Sequence, residues 1–96
     1  MSKHNEHSIK EAIDKMLKAY GLNNRLAENK LINSWETIMG SVIAKHTKEI
    51  RISKNQLFVT LDSAALRNEL SMAKSKLIEL LNNAAGKVLI SEIIFK

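Results

Sequence analysis

The chain has 96 residues, which is enough for one domain and too few for two. It contains no cysteine, which excludes disulfide bonds, cysteine-ligated zinc and thiol catalysis. Its net charge of +5 and isoelectric point near 9.6 are typical of domains that bind polyanions. The sequence lacks both the apolar run of ~20 residues that crosses a bilayer and the apolar segment of a signal peptide, so we expect a cytoplasmic protein with no membrane partner.

The N-terminal part of the chain predicts a helix after a short polar tail. We expect residues 1–7 to be disordered and residues 8–96 to form a single domain. Ser8-Ile9-Lys10-Glu11 has the pattern of a capping box, which predicts that a helix begins at Ser8. Gly21 stands where a left-handed residue would end that helix. The apolar residues between these two points have the spacing of one helix face and are Ile9, Ile13, Met16, Leu17 and Tyr20.

A second helix is predicted from Asn23 or Asn24, either of which can cap its first turn. Its apolar stripe places Trp35 on the buried face, so we interpret this side chain as part of the core and not as a platform for bases. Gly40 interrupts the stripe, and we expect a kink or break there, followed by a short helical turn over residues 41–45.

The apolar period changes to two after residue 48, which predicts a β-hairpin with one apolar face. Lys54-Asn55 lies between the two strands, and asparagine tolerates the left-handed conformation of a tight turn. Pairing across this turn places Arg51 opposite Phe58 on the outward face of the hairpin.

The last third of the chain predicts one long helix and one strand. Asp62 or Ser63 is expected to cap the helix, which ends at Gly86. Residues 88–95 are almost entirely apolar, so they predict a strand of the kind commonly found at the centre of a sheet. The predicted order is α-α-β-β-α-β, which indicates an α+β fold with helices on one face of a small three-stranded sheet.

Several short motifs along the chain together resemble a known family. The pattern W-x4-G-x3-A-x-H-T begins at Trp35 and is followed at matching intervals by Leu57-Phe58-Val59, Glu69-Leu70, Leu80-Leu81-Asn82 and Ile93-Ile94-Phe95. In this order they are similar to the DciA-like family, long catalogued as a domain of unknown function, over residues 9–96. The best-understood members are bacterial replicative helicase loaders. The resemblance therefore implies a fold similar to a K-homology (KH) domain, affinity for DNA, and contact with the hexameric replicative helicase.

The chain departs from those proteins at two points. True KH domains clamp the nucleic-acid backbone with a G-x-x-G loop between two helices. Here Gly40 is followed by Val42-Ile43, so no such loop exists and RNA recognition is not inferred from the fold. Family loaders often carry an additional disordered segment, whereas this chain ends at Lys96, directly after the last strand. A helicase contact made through such a segment is therefore not expected.

The candidate nucleic-acid interface combines cations with one exposed aromatic ring. The densest basic stretch runs from the end of the second helix into the hairpin, where cations can bind phosphates without sequence specificity. The pair formed by Arg51 and Phe58 can stack on an unpaired base, or it can simply stabilise the sheet. The third helix adds a polar stripe, which either extends the interface or remains solvated. The imidazole at the end of the second helix is also expected to cap that helix, either by bonding free carbonyl groups or by a favourable interaction with the helix dipole. The predicted interface residues are Lys45, His46, Lys48, Arg51, Lys54, Phe58, Arg67 and Lys74.

Catalytic and cofactor motifs are missing from the sequence. There is no glycine-rich phosphate loop, nucleophile elbow or H-E-x-x-H motif, and the carboxylates are scattered, so we expect no enzyme, metal, cofactor or small-molecule substrate. The leading hypothesis is a non-catalytic DNA-binding domain that assists loading or recruitment of the replicative helicase. One alternative is a protein-interaction adapter, which an exposed apolar sheet face would favour. Another is an RNA-binding domain, since charge does not distinguish the two polyanions. The preference for single- or double-stranded DNA and the oligomeric state remain open.

Overall fold

The computed structural model describes residues 6–96, apart from the side chains of residues 6–8, 17–20 and 22–23. Residues 1–5 of the predicted tail and the Ser8 side chain lie outside this description. The described chain confirms the α+β class, with four helices and a three-stranded mixed sheet. The elements in chain order are α1 (Glu6–Met39), α2 (Ser41–Lys45), β1 (Thr47–Ser53), β2 (Gln56–Leu61), α3 (Ala64–Ser71), α4 (Lys74–Ala85) and β3 (Glu92–Phe95).

The two predicted N-terminal helices form one continuous helix of 34 residues. Gly21 was predicted to end the first helix, but it lies inside α1 and is not among the described residues with positive φ. A glycine inside a helix costs about 1 kcal/mol relative to alanine, which is too little to interrupt a helix whose later turns are buried. Asn24 likewise does not cap a new helix. Its side-chain oxygen instead accepts a hydrogen bond from Lys87 Nζ at 3.0 Å.

The predicted break at Gly40 is confirmed. Gly40 has φ 90° and ψ 164°, a conformation that is essentially restricted to glycine, and it separates α1 from the single turn of α2. Trp35, which is 3% exposed, confirms its predicted place in the core. Its indole Nε1 donates to Thr47 Oγ1 at 2.9 Å, and that hydroxyl donates to the Ile43 carbonyl at 2.8 Å. These two bonds hold α1, α2 and β1 together at the corner where the chain turns.

The predicted hairpin is confirmed in its turn and its register. Lys54 and Asn55 both have positive φ, of 51° and 65°, as a two-residue type I′ turn requires. Arg51 pairs with Phe58 across the antiparallel ladder. The register shifts between Thr47 and Glu49, so the ladder is irregular at the start of β1.

The long third helix of the prediction is two helices, because the chain turns at residues 72–73. Ser63 caps α3 by accepting a hydrogen bond from the Leu66 amide at 3.3 Å, and Gly86 ends α4 at φ 84°, as expected. No glycine or proline marks the turn between them. It arises because α3 lies against β2 and β3, whereas α4 packs mainly against α1. One straight helix would not pack against both the sheet and α1.

The last strand is shorter than predicted and is not central. The sheet order is β1-β2-β3, so β2 is central, and β3 pairs with it in parallel at the edge. Leu89 and Ile90 are buried in an irregular segment that the Asn82 side chain holds. Asn82 Oδ1 accepts from both of their amides, at 2.9 and 3.1 Å, and its Nδ2 donates to the Ile90 carbonyl at 2.9 Å. The apolar run therefore reflects a buried loop leading into a short strand.

The core lies between the inner face of the sheet and the two longest helices. Its fully buried side chains include Leu31 of α1, Leu57 of β2 and Leu81 of α4. Ala27 is the first buried residue of α1 among those described. The earlier turns of α1 project away from the rest of the chain, which gives the molecule extents of 66 × 20 × 19 Å.

Candidate nucleic-acid interface

One face of the sheet carries two of the residues that the sequence predicted to bind nucleic acid, Arg51 and Phe58. Side chains alternate between faces along a strand. Because Leu57, Val59 and Leu61 are buried against the helices, the residues between them point to the other side. We call this side the outer face. Its side chains, by the strand register, are Glu49, Arg51, Ser53, Gln56, Phe58, Thr60, Glu92 and Ile94.

Phe58 is at the centre of the outer face and is bordered by two cations. The Arg51 guanidinium carbon lies 4.2 Å from the centre of the ring, within the range of a cation–π contact. Lys96 Nζ lies 5.2 Å from the same point. Ile94 of β3 is the register partner of Phe58 on its other side. The ring itself is half-buried, so this arrangement presents a flat aromatic and guanidinium surface with positive charge beside it.

Lys96 is a residue that sequence reasoning missed. Its position depends on the parallel pairing of β2 with β3, in which Lys96 donates its amide to the Val59 carbonyl at 2.8 Å. Local spacing predicts a hairpin, but it does not predict which strand an isolated last strand will pair with. The basic residue at the end of the sequence therefore carried no signal that it lies beside Phe58.

Asp62 holds two of the predicted interface residues. Its carboxylate lies 2.7 Å from His46 Nδ1 and 3.1 Å from Lys48 Nζ. The hydrogen bond to His46 and then that to Lys48 lower the pKa of Asp62 below its ordinary value. The His46 side chain therefore bonds a carboxylate rather than the free carbonyl groups expected of it. Because this carboxylate partly neutralises Lys48 and also binds His46, this end of β1 is less positive than the basic stretch suggested.

Lys45 and Lys54 form no ion pair with any side chain of the described part of the chain. Lys45 is exposed in the last turn of α2, and Lys54 is exposed at the tip of the hairpin. The length of β1 separates these two positions by roughly 20 Å, at about 3.3 Å per strand residue. The predicted basic stretch is thus a line of charges along the hairpin, and only its distal part adjoins the outer face.

The predicted stripe on the third helix does not form a single surface. Arg67 lies on α3 and Lys74 on α4, on opposite sides of the turn at residues 72–73. Lys74 Nζ lies 3.6 Å from the Glu92 carboxylate. Among the described residues, Arg67 Nε is the one buried side-chain polar atom that lacks a hydrogen-bond partner. The structure therefore joins Arg51 and Phe58, and separates Arg67 and Lys74 from each other.

The sequence of the chain matches a known family over nearly its whole length. The model of the family described as "Dna[CI] antecedent, DciA" matches residues 8–95. The chain belongs to the DciA family. The motif positions noted above thus have structural explanations within a DciA domain, because Trp35 and Thr47 are hydrogen-bonded, Gly40 has a conformation that favours glycine, and Asn82 holds the buried loop.

Curated relatives are similar to this DciA-family chain over only part of their length. A UPF0232 protein from Corynebacterium glutamicum (strain R) is 27% identical over 86 residues, which cover 90% of this chain and 48% of the relative. Two proteins from Mycolicibacterium smegmatis, one described as a UPF0232 protein in the recF-gyrB intergenic region, are 32% identical over 63 residues, which cover 66% of this chain and 32% of each relative. The chain thus spans about half or less of the length of these relatives. No solved structure is significantly similar to it, so the likeness to a KH domain stays a prediction.

No helix between residues 6 and 96 is long and apolar enough to cross a membrane. In the same part of the DciA-family chain, no three residues of the kinds His, Cys, Asp or Glu are grouped closely enough to hold a metal ion.

Proposed function

We propose that this DciA-family chain is a non-catalytic DNA-binding domain of the cytoplasm that assists the recruitment or loading of the replicative helicase. Single-stranded DNA is its preferred ligand, and the outer face of the sheet is the binding surface. The observation that carries the proposal is the Arg51–Phe58 stack with Lys96 beside it. An unpaired base can stack on such a surface while its phosphates contact the cations.

The structure supports fewer contacts to nucleic acid than the sequence predicted. Arg51, Lys54 and Lys96 are basic residues on or next to the outer face without a carboxylate partner among the described side chains. His46 and Lys48 share Asp62, so they contribute less to phosphate binding. Lys45, Arg67 and Lys74 lie on the helices and play a secondary part.

Fluorescence anisotropy of labelled single-stranded DNA across a salt series tests the DNA-binding surface. Three phosphate contacts predict a slope of about −2 in the plot of log affinity against log salt concentration. Phe58→Leu keeps an apolar side chain in the sheet but removes the stacking ring, and it is expected to weaken binding by about 1–3 kcal/mol. Arg51→Ala is expected to reduce the slope by about 0.7.

Lys76→Ala is the matched control for these variants. Lys76 is exposed on α4, where it pairs with Glu79 at 3.2 Å, so its removal changes the net charge by the same amount away from the sheet. Equal losses in Arg51→Ala and Lys76→Ala would mean that only net charge matters and would contradict the assignment of the outer face. Tighter binding to duplex DNA or to RNA would contradict the preference for single strands.

The helicase part of the proposal rests on the family and needs a separate measurement. Sedimentation of the chain with the hexameric replicative helicase of the same bacterium is expected to yield a complex in the absence of DNA. If the two proteins sediment independently at concentrations where the chain binds DNA, the helicase role fails while the DNA role stands.

A protein-interaction adapter is the second candidate, and one observation favours it. Phe58 and Ile94 are both half-buried and adjacent on the outer face, so the face has an apolar centre as well as cations. Under this alternative Phe58→Leu impairs binding to the helicase, and no affinity for DNA is measured even at low salt.

A further inference from the structure

Two neighbouring rows of side chains cross the outer face of the sheet. Lys96 donates its amide to the Val59 carbonyl and accepts from the Leu61 amide, so it lies opposite Thr60. Thr60 is also the register partner of Glu49. The two rows, read from β1 to β3, are therefore Arg51-Phe58-Ile94 and Glu49-Thr60-Lys96. The second row has a carboxylate at one side of the sheet and a cation at the other.

Glu49 differs from the other carboxylates beside the sheet because no side chain in the described part of the chain pairs with it. Asp62 is paired with Lys48, and Glu92 lies 3.6 Å from Lys74 Nζ. Glu49 is also exposed. A free carboxylate repels phosphate groups, so it is unfavourable on a DNA-binding face unless it contacts another part of the nucleotide.

The cations of the outer face indicate the path that a single strand would follow. Lys54 is at the hairpin turn and Lys96 is at the opposite end of the face, on the β3 side. A line of phosphates between these two cations leaves Glu49 to one side, beside β1. Bases that project from this line towards β1 lie over the Arg51–Phe58 stack with their hydrogen-bonding edges towards Glu49. Phe58 and Glu49 are diagonal neighbours, about 7–8 Å apart, a separation that long side chains span.

We propose that Glu49 selects the bases that the outer face accepts, favouring those with an exocyclic amino group over thymine and uracil. The inference rests on the proposed DNA-binding function of this face. A carboxylate only accepts hydrogen bonds, and the amino group of cytosine donates one to it. Thymine and uracil carry a carbonyl oxygen at the same position, which a carboxylate repels. The aromatic stack and the cations thus provide affinity, and Glu49 determines which base is bound.

Binding of the whole chain to short homo-oligomers of deoxycytidine and of deoxyuridine tests this selection. The two oligomers have the same charge and ring size, and their bases differ only at the amino group of cytosine and the ring nitrogen next to it. Fluorescence anisotropy with oligomers of about eight nucleotides, at neutral pH, is suited to a site of this size. Deoxycytidine is expected to bind at least about fivefold more tightly, the lower end of what one such contact contributes.

Glu49→Gln tests whether this residue is responsible. The glutamine amide has nearly the same shape as the carboxylate, but it donates as well as accepts, so it bonds either base. The variant is expected to bind the two oligomers equally. Removing a negative charge also strengthens binding to both oligomers, but by the same factor, so charge alone does not change the ratio of the two dissociation constants.

Glu69→Gln is the matched control, because Glu69 is exposed on α3 and forms no ion pair with any described side chain. It removes the same charge away from the outer face, and the preference for deoxycytidine is expected to remain.

Equal binding of the two oligomers by the natural chain would overturn the role of Glu49 and leave DNA binding in place. The same would follow if Glu49→Gln and Glu69→Gln showed the same ratio. If neither oligomer bound even at low salt, the proposed function itself would fail, and base selection with it.

Discussion

At the scale of single residues, Asp62 links the start of the hairpin to the chain that follows it. Its carboxylate bonds His46 and Lys48, and its amide donates to the His46 carbonyl at 3.0 Å. Asp62 was considered in the sequence only as a helix cap, a role that Ser63 fills. The carboxylate instead connects the end of β2 to the end of α2 through its bond to His46.

The lowered pKa of Asp62 predicts how stability depends on pH. A carboxyl group whose pKa is lower in the folded state stabilises the fold above its unfolded pKa of about 3.9, and this contribution is lost as the pH falls through the folded pKa. Asp62→Asn is therefore expected to be less stable than the natural chain near pH 7 and equally stable once the pH is well below the folded pKa of Asp62. Urea unfolding at a series of pH values measures the difference.

Glu79→Gln is the control for that series, because it also removes a carboxylate from an exposed ion pair, within a single helix. Its stability is expected to follow that of the natural chain more closely throughout. A constant difference between Asp62→Asn and the natural chain at every pH would mean that the carboxylate charge is not what stabilises the hairpin.

At the scale of elements, Gly21 inside α1 and Gly40 directly after it have opposite conformational roles. Gly40 adopts a backbone conformation that is nearly exclusive to glycine, and it sets the angle at which α2 and the Trp35–Thr47 bond meet β1. Gly21 is helical and exposed, and outside its own stretch of helix no described atom lies within 4 Å of the position of an added Cβ. Replacement by alanine is therefore expected to lower stability at Gly40 and to stabilise the helix at Gly21.

Gly40→Ala is expected to lower the free energy of unfolding by about 1–3 kcal/mol, because alanine is strained at this φ and ψ. Gly21→Ala is expected to increase the helix content measured by circular dichroism, since alanine favours the helix by about 1 kcal/mol. Chemical denaturation of both variants makes the comparison. An unchanged stability of Gly40→Ala would mean that the corner between α1 and α2 relaxes without cost.

At the scale of the whole molecule, the chain separates a compact body from a projecting helix. The exposed first turns of α1 and the outer face are distinct surfaces, and only the second is adjacent to the hairpin cations.

The sequence by itself determined the features that depend on neighbouring residues. Positive φ at Lys54 and Asn55, the register of Arg51 with Phe58, the helix end at Gly86 and the burial of Trp35 all follow from local conformational preference or apolar spacing. For the same reason the motifs were sufficient to suggest the DciA family, which the family model then confirmed.

Only the tertiary structure decided the features that depend on distant packing. The continuity of α1 through Gly21, the turn between α3 and α4, and the edge position of β3 reflect where other elements lie. The same holds for Lys96 beside Phe58 and for the exposure of Ile9, Ile13 and Met16 on α1. An apolar stripe looks identical in sequence whether it is covered or not, because burial is a property of what lies opposite it.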